Sequence, residues 1–283
     1  MSYHPPRRRQ RGGGFSTIKI RLLIAGAIVL FSLVSYMMTS DVNPVTGEAQ
    51  RVKMSVDEEI QMGIAAAPQM AAQHQGLSDD QTASSNVRVM GERLVVNLQT
   101  HLQRQGKEIP YPFEFHLLSD EGVVNAFALP GGQVFITEAL YYRLTDAGQL
   151  AGILGHEIGH VIERHGAERM ANAGLWQQLA GAAGVAGGDV NSARMASMVG
   201  NFVQMKYGRE DELESDRWGI ALMVLSGYHP DHMLDVMDIL EETSGGGGQP
   251  EFMSTHPRPA NRKSHIEQIV AEKFPNGLPP GLR

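Results

Sequence analysis

The residues best suited to chemistry lie in one short segment, His156-Glu157-Ile158-Gly159-His160. This is the H-E-x-x-H pattern, and it lies within a stretch of strong helical periodicity. Histidines four positions apart project about 40° apart on one helix face, so both imidazoles can reach a single zinc ion. Glu157, about 100° further round, can hold a zinc-bound water without being a ligand. The segment predicts zinc-dependent peptide hydrolysis, although so short a pattern also occurs by chance.

A catalytic zinc site also needs a third protein ligand and one open position. The long form of the motif, which adds a third histidine, is excluded because the positions it requires hold Glu163 and Gly166. A carboxylate from a later helix is the alternative. Residues 209–216 offer five of them, which are Glu210, Asp211, Glu212, Glu214 and Asp216.

Helical phase divides these five carboxylates. Glu212 and Asp216 fall on the apolar face of their predicted helix, whereas the other three point away and are expected to be solvated. Because a carboxylate that faces a core needs a partner, we predict Glu212 as the third zinc ligand. We predict Asp216 as the acceptor for the free ring N–H of His156 or His160. A simple salt bridge to a nearby arginine is the alternative.

The predicted reaction uses Glu157 as general base on the zinc-bound water and later as proton donor to the leaving amine. Zinc polarises the scissile carbonyl.

The elements that position these residues follow from local patterns. Thr145 and Asp146 are typical of a helix N-cap, and they predict a motif helix that reaches at least His165. A helix over 209–225 carries the third ligand. Apolar runs at 113–118 and 133–137, separated by turn residues, predict a small sheet. Further helices are predicted at about 55–70, 86–103 and 230–242.

Composition bounds the rest. A chain of 283 residues with 42% hydrophobic residues accommodates one main catalytic domain, here residues 41–283. The absence of cysteine excludes disulfides, thiolate nucleophiles and cysteine zinc sites. Residues 22–283 hold 18 basic and 31 acidic side chains, which argues against nucleic acid as a partner.

The N-terminus predicts attachment to a membrane. Residues 1–21 form a basic tail without acidic residues, and residues 22–38 contain no charge. We interpret residues 22–40 as a transmembrane anchor or an uncleaved signal, since Met37-Met38-Thr39-Ser40 is a poor cleavage site. A cleaved signal peptide and a buried core helix are the alternatives. The positive charges predict a cytoplasmic N-terminus and a catalytic domain on the outer, periplasmic or extracellular, side.

Two further predictions concern residues outside the motif. Residues 171–208 are rich in Ala, Gly, Gln and Met, and they either pack as short helices or form a mobile lid. His165 lies roughly opposite His156 around the predicted helix, so a structural hydrogen bond is expected rather than metal binding.

The two motifs, H156-E-I-G-H160 and E212-L-E-S-D216, resemble the gluzincin metalloprotease family that contains HtpX, the CAAX prenyl protease and BepA. Ser215 stands where that family usually has alanine. The resemblance covers roughly residues 45–270. Three other stretches agree with it, which are Asn125-Ala126-Phe127-Ala128-Leu129-Pro130-Gly131-Gly132, Arg164-His165 and Ser254-Thr255-His256-Pro257.

The resemblance implies a mainly α (α+β) fold, a zincin-like domain with a short sheet beside the motif helix. It implies an endopeptidase with one zinc per chain. The complete ligand set and the predicted anchor favour misfolded or membrane-associated proteins as its substrates. An extended substrate would bind the strand after Gly132 or the segment Asn125–Phe127. His256 would lie near the zinc, either stabilising the tetrahedral intermediate or occupying the fourth position at rest.

Two other functions stay open. An envelope chaperone or assembly factor with a latent protease site is one, and a zinc-stabilised scaffold without catalysis is the other. The sequence does not determine the oligomeric state.

Overall fold

The computed structural model describes residues 14–173, 207–244, 251–256 and 262–283. Over these ranges the chain is mostly helical, with one three-stranded and one two-stranded sheet. It divides into two compact units. The first comprises Met1–Thr39 and Ala171–Ala196, and the second comprises Ser40–Met170 and Ser197–Arg283.

In the first unit, helix α1 spans Gly14–Met38. Its segment Ile18–Met38 contains an 18-residue stretch with a mean hydropathy of 2.1, and it is the one part of the described chain long and apolar enough to cross a membrane. The helix begins eight residues before the predicted Leu22. The basic residues there favour helix, and the nearest helix-breaking residues are the glycines that precede it.

The second unit contains the other named helices and the five named strands. The helices, numbered in chain order, are α2 Val56–Gln73, α3 Gln81–Gln103, α4 Glu138–Tyr141, α5 Ala147–Ile162, α6 Arg209–Leu225, α7 Asp231–Ser244, α8 Glu251–Thr255 and α9 Arg262–Lys273. The strands are β1 Asp41–Val42, β2 Ala49–Gln50, β3 Glu114–Leu118, β4 Ala126–Leu129 and β5 Gln133–Thr137. The sequence patterns do not predict α4, α8, α9 or β4, because each is short or has few regularly spaced apolar residues.

Side-chain caps fix the start of three helices. Ser55 forms a capping box with Glu58 at the start of α2, and the Asp146 side chain accepts a hydrogen bond from Gly148 N at the start of α5. Asp80 accepts hydrogen bonds from two backbone N–H groups of α3. Helix α3 therefore begins five residues before the predicted start at residue 86. The prediction starts late because the first turn of α3 is polar and adds nothing to the apolar periodicity.

The motif helix α5 ends sooner than predicted, at Ile162 instead of His165. Arg164 adopts a left-handed conformation with φ of 57°, and residues 165–173 form a separate helical segment. The buried guanidinium of Arg164 donates to Glu59 Oε1 at 2.6 and 2.8 Å and to Asp41 Oδ2 at 2.7 Å. These hydrogen bonds hold Arg164 in place at the break in the helix.

Helices α5 and α6 pack closely because small residues face one another. A Cβ added to Gly155 would lie 3.1 Å from the Cα of Gly219, so the two backbones nearly touch there. This contact brings the helix that carries the motif beside the helix that carries the carboxylates.

The three-stranded sheet has the order β3-β5-β4, with β3 parallel and β4 antiparallel to the central β5. All residues of β4 and β5 are buried. Within the described strands, β4 pairs on one side only.

Candidate metal centre

The side chains predicted to form the site meet in one cluster within the second unit. Helix α5 contributes two histidines and a glutamate, α6 contributes two carboxylates, and the residue after α8 contributes a histidine. Each is at most 2% exposed, and they are His156, Glu157, His160, Glu212, Asp216 and His256.

Four of these side chains present donor atoms at the spacing of a tetrahedral zinc site. His156 Nε2 and His160 Nε2 are 3.0 Å apart, and His256 Nδ1 lies 3.4 and 3.2 Å from them. A Glu212 carboxylate oxygen lies 3.0 to 3.6 Å from each of the three rings. Ligand atoms about 2.0–2.1 Å from a tetrahedral zinc lie about 3.3 Å from one another. The four donors therefore fit a single zinc ion.

Asp216 and Arg262 hold His156 on the side of its ring that faces away from the candidate zinc position. Asp216 Oδ1 lies 2.9 Å from His156 Nδ1 and accepts its N–H, which leaves Nε2 directed into the cluster. Arg262 donates to both Asp216 oxygens, at 2.9 and 2.7 Å, and its Nη1 lies 3.2 Å from Glu212 Oε2. The predicted histidine contact and the alternative salt bridge to arginine are both present.

The sequence analysis did not identify Arg262 as a site residue. The Arg262 side chain is 3% exposed, and its guanidinium compensates the charge of two buried carboxylates. The only signal was indirect, since facing two carboxylates into a core requires a cation. Nothing in the chain near α6 pointed to a residue 46 positions away.

His165 and Glu214 lie differently from their predicted surroundings. His165 Nδ1 is 2.9 Å from His160 Nδ1, so the structural hydrogen bond expected of it is made to a candidate ligand. Glu214, predicted to be solvated, is half-buried and lies 3.0 Å from His165 Nε2.

The two glutamates of the cluster differ in their electrostatics. Burial raises the pKa of Glu157, and neither of its oxygens has a hydrogen-bond partner among the described residues. Burial would also raise the pKa of Glu212, but His256, His160 and Arg262 outweigh it and hold that pKa well below its usual range. Glu212 thus stays anionic as a ligand must, whereas Glu157 is disposed to take up a proton.

Aromatic rings cover the cluster. Tyr207 stacks on His160 with ring centroids 3.7 Å apart, and Phe252 stacks on His256 at 4.4 Å. The guanidinium of Arg169 lies 3.7 Å over the Tyr207 ring. The predicted lid at 171–208 falls mostly on residues 174–206, which lie outside the described residues.

The sheet distinguishes between the two predicted substrate-binding segments. Strand β5, which follows Gly132, has β3 on one edge and β4 on the other, so it has no edge left for a substrate. Strand β4 begins after Asn125, whose buried side-chain oxygen and nitrogen both lack a hydrogen-bond partner in the described part of the chain.

The chain is similar in sequence to known metallopeptidases. The model of peptidase family M48 matches residues 83–270. The beta-barrel assembly-enhancing protease of Yersinia pestis is 30% identical over 92% of this chain and 54% of its own length. Its counterpart in Escherichia coli K12 is 27% identical over 86% and 50%. The mitochondrial metalloendopeptidase OMA1 of Bos taurus is 27% identical over 86% and 48%. The chain spans about half the length of these curated relatives.

Proposed function

The chain belongs to peptidase family M48, and we propose that it is a metalloendopeptidase that hydrolyses internal peptide bonds of unfolded or membrane-associated proteins at one zinc ion. The observation that carries this proposal is the tetrahedral set of buried donors with the Glu157 carboxylate beside it, which lies 3.6 Å from His256 Nε2 and has no hydrogen-bond partner among the described residues.

His156, His160 and Glu212 would hold the zinc, with Asp216 orienting His156. Bound there, zinc supplies a Lewis acid that polarises the scissile carbonyl and lowers the pKa of water. Glu157 takes the proton of the attacking water and delivers it to the nitrogen of the leaving amine. The raised pKa of Glu157 suits both halves of this transfer, because a carboxyl group with a low pKa would return the proton poorly.

His256 is proposed as the fourth ligand of a resting state. Its Nδ1 lies at ligand spacing from both motif histidines, which supports occupation of the open position. Substrate hydrolysis would then require His256 to move away. A His256→Ala variant separates the two roles, since faster cleavage is expected of a resting ligand and slower cleavage of a residue that stabilises the intermediate.

The free edge of β4 is proposed to bind the substrate. Main-chain hydrogen bonds along an edge strand hold an extended peptide with little regard for its side chains. That tolerance suits unfolded polypeptides. The Asn125 amide, which lacks a partner in the described chain, would donate to and accept from the peptide main chain beside the scissile bond.

Membrane attachment is proposed through α1. The apolar segment Ile18–Met38 follows the basic tail, an arrangement that places the N-terminus in the cytoplasm and residues 41–283 on the outer side. The catalytic domain would thus act on membrane-associated or secreted polypeptides.

Incubation of the full chain in mild detergent with zinc and a denatured protein tests this function. We expect internal fragments by mass spectrometry, loss of cleavage with a chelator, and recovery with zinc. Release of single terminal residues would contradict the endopeptidase. Bound zinc that stabilises the fold while no unfolded substrate is cut would instead indicate a zinc-stabilised scaffold.

A second candidate function is an envelope chaperone or assembly factor with a latent protease site. The rings of Tyr207 and Phe252 favour it, because they stack on His160 and His256 and the four candidate ligands are at most 2% exposed. The names of two relatives refer to beta-barrel assembly. Full rescue of a deletion phenotype by Glu157→Gln would establish the chaperone, and failure of rescue would establish the protease.

A further inference from the structure

The outer ring nitrogen of His160 leads through a second histidine to a surface carboxylate. His160 Nδ1 lies 2.9 Å from His165 Nδ1, and His165 Nε2 lies 3.0 Å from Glu214 Oε2. Ser215 Oγ is a weaker neighbour, 3.4 Å from His165 Nδ1. His165 is 2% exposed and Glu214 is 43% exposed, so the three side chains run from the buried cluster to the surface.

The spacing of the three groups admits one arrangement of protons. A histidine that binds zinc through Nε2 carries its proton on Nδ1, so His160 donates from that atom. His165 Nδ1 must then accept, which places the His165 proton on Nε2. The ionised carboxylate of Glu214 accepts that proton's hydrogen bond. Glu214 thereby fixes the tautomer of His165, and His165 fixes the tautomer of His160.

The break in α5 makes this contact possible. In a continuous helix, residues five apart lie about 140° apart around the axis, too far for their rings to meet. The left-handed Arg164 interrupts the helix and turns His165 back towards His160. A backbone feature with no direct part in the chemistry thus brings the second histidine into place.

Glu214, the last residue in the hydrogen-bonded series His160–His165–Glu214, lies at a surface cleft. Glu214 lines this cleft of about 270 Å³ together with charged residues of both signs and Trp218. By contrast, His156 is held by Asp216 and Arg262, all of them buried. The two motif histidines are therefore supported in different ways. A buried ion pair supports His156, whereas a series of hydrogen bonds that ends at the surface supports His160.

We propose that His165 and Glu214 are positioning residues that hold His160 in its zinc-binding tautomer and orientation. The proposal rests on the proposed zinc site. It predicts that Glu214 acts only through His165, and that any side chain able to accept from His160 and donate to Glu214 can replace His165.

Zinc affinity of the full chain in detergent, measured by chelator competition, tests the proposal. His165→Leu fills the space without either hydrogen bond, and we expect it to weaken zinc binding by about 10- to 100-fold. His165→Gln offers an amide oxygen to His160 and an amide N–H to Glu214, so we expect it to recover most of that loss. Glu214→Ala should weaken zinc binding measurably, by about 3- to 10-fold. The matched control is Glu210→Ala, an exposed carboxylate on the same helix that should bind zinc as the wild type does.

The double variant His165→Leu/Glu214→Ala tests whether Glu214 affects zinc binding only through His165. We expect it to bind zinc no more weakly than His165→Leu alone. Thermal unfolding of each metal-free variant shows whether the fold survives, and Glu214→Ala keeps the test informative if the buried variant does not fold. Wild-type affinity in either single variant, no recovery with glutamine, or additive losses would overturn the proposal.

The outcome is independent of cleavage. If zinc affinity depends on His165 and Glu214 as predicted but the wild type cuts no unfolded protein, the positioning role is supported and the proposed endopeptidase activity is contradicted. If it cuts unfolded protein and the variants bind zinc normally, the reverse holds.

Discussion

Gly159 of the motif helix lies against the backbone of Ser215 in the third-ligand helix. A Cβ at position 159 would lie 2.9 Å from Ser215 Cα and 3.0 Å from its carbonyl oxygen. No side chain other than hydrogen fits at that spacing. The contact sets the distance between α5, with its two histidines, and α6, with Glu212, so packing and metal geometry depend on the same glycine.

Alanine at position 159 should therefore separate the two helices. We expect Gly159→Ala to lower the free energy of unfolding by about 1–3 kcal/mol and to weaken zinc binding as well. Gly152→Ala is the matched control on the same helix, because its Cβ would meet only flexible methionine sulfur atoms at 3.4 Å. That variant should be neutral or slightly stabilising in urea unfolding. Equal behaviour of the two variants would rule out the close contact.

Replacement of Asn125 should trade activity for stability. Its buried amide has no partner in the described chain, and an unsatisfied buried polar group costs about 1–3 kcal/mol. We expect Asn125→Ala to unfold at a higher temperature and to show a higher KM with little change in kcat. Steady-state cleavage of a fluorogenic unfolded substrate measures both constants. A lower unfolding temperature with unchanged KM would mean that the amide is structural.

The Glu59–Arg164 pair predicts a pH dependence of stability. Burial raises the pKa of Glu59 from 4.5 to about 7, against the opposing pull of Arg164. Between these two values the folded state holds a proton that the unfolded state has lost, so stability is fully present below pH 4.5 and falls as the pH rises through about 7. The difference corresponds to on the order of 3 kcal/mol.

Glu59→Gln keeps a hydrogen-bond acceptor for Arg164 but does not titrate. Urea unfolding at pH 5 and pH 8 should show the wild type losing about 2–3 kcal/mol relative to this variant. Loss of zinc at the lower pH affects both proteins and cancels in the comparison. A pH profile identical in the two proteins would show that Glu59 is ionised throughout.

The absence of cysteine allows the proposed topology to be tested with single introduced thiols. Ser2→Cys labels the basic tail, and Thr100→Cys labels an exposed position on α3. In intact spheroplasts, a membrane-impermeant maleimide should modify the protein with cysteine at position 100 and leave the one at position 2 unmodified until the membrane is lysed. The opposite labelling pattern would reverse the orientation.

Elements with strong local signals could be predicted from the sequence. The bounds of α6 match the predicted range, and Asp146 caps the helix that it was expected to cap. Two of the three strands in the larger sheet lie where apolar runs indicated them. These features depend on residues close together in the chain, and a local pattern records them.

Features that depend on distant residues could not be predicted. The early end of α5 depends on the hydrogen bonds from Arg164 to Glu59, which lies more than 100 positions away in the sequence. Arg262 reaches Asp216 from a helix with too few apolar residues to show a period. Helical phase correctly places Glu214 on the face of α6 that points away from the apolar side. It cannot show that His165, from another segment, packs against that face.

The central claim is that Glu157 performs the proton transfers of peptide hydrolysis at a zinc site built by its neighbours. Zinc content and digestion of a denatured protein, measured together for the wild type and Glu157→Gln, test it most directly. We expect about one zinc per chain in both proteins, and cleavage slowed by about 100-fold or more in the variant. Equal cleavage by the two zinc-loaded proteins would contradict the account.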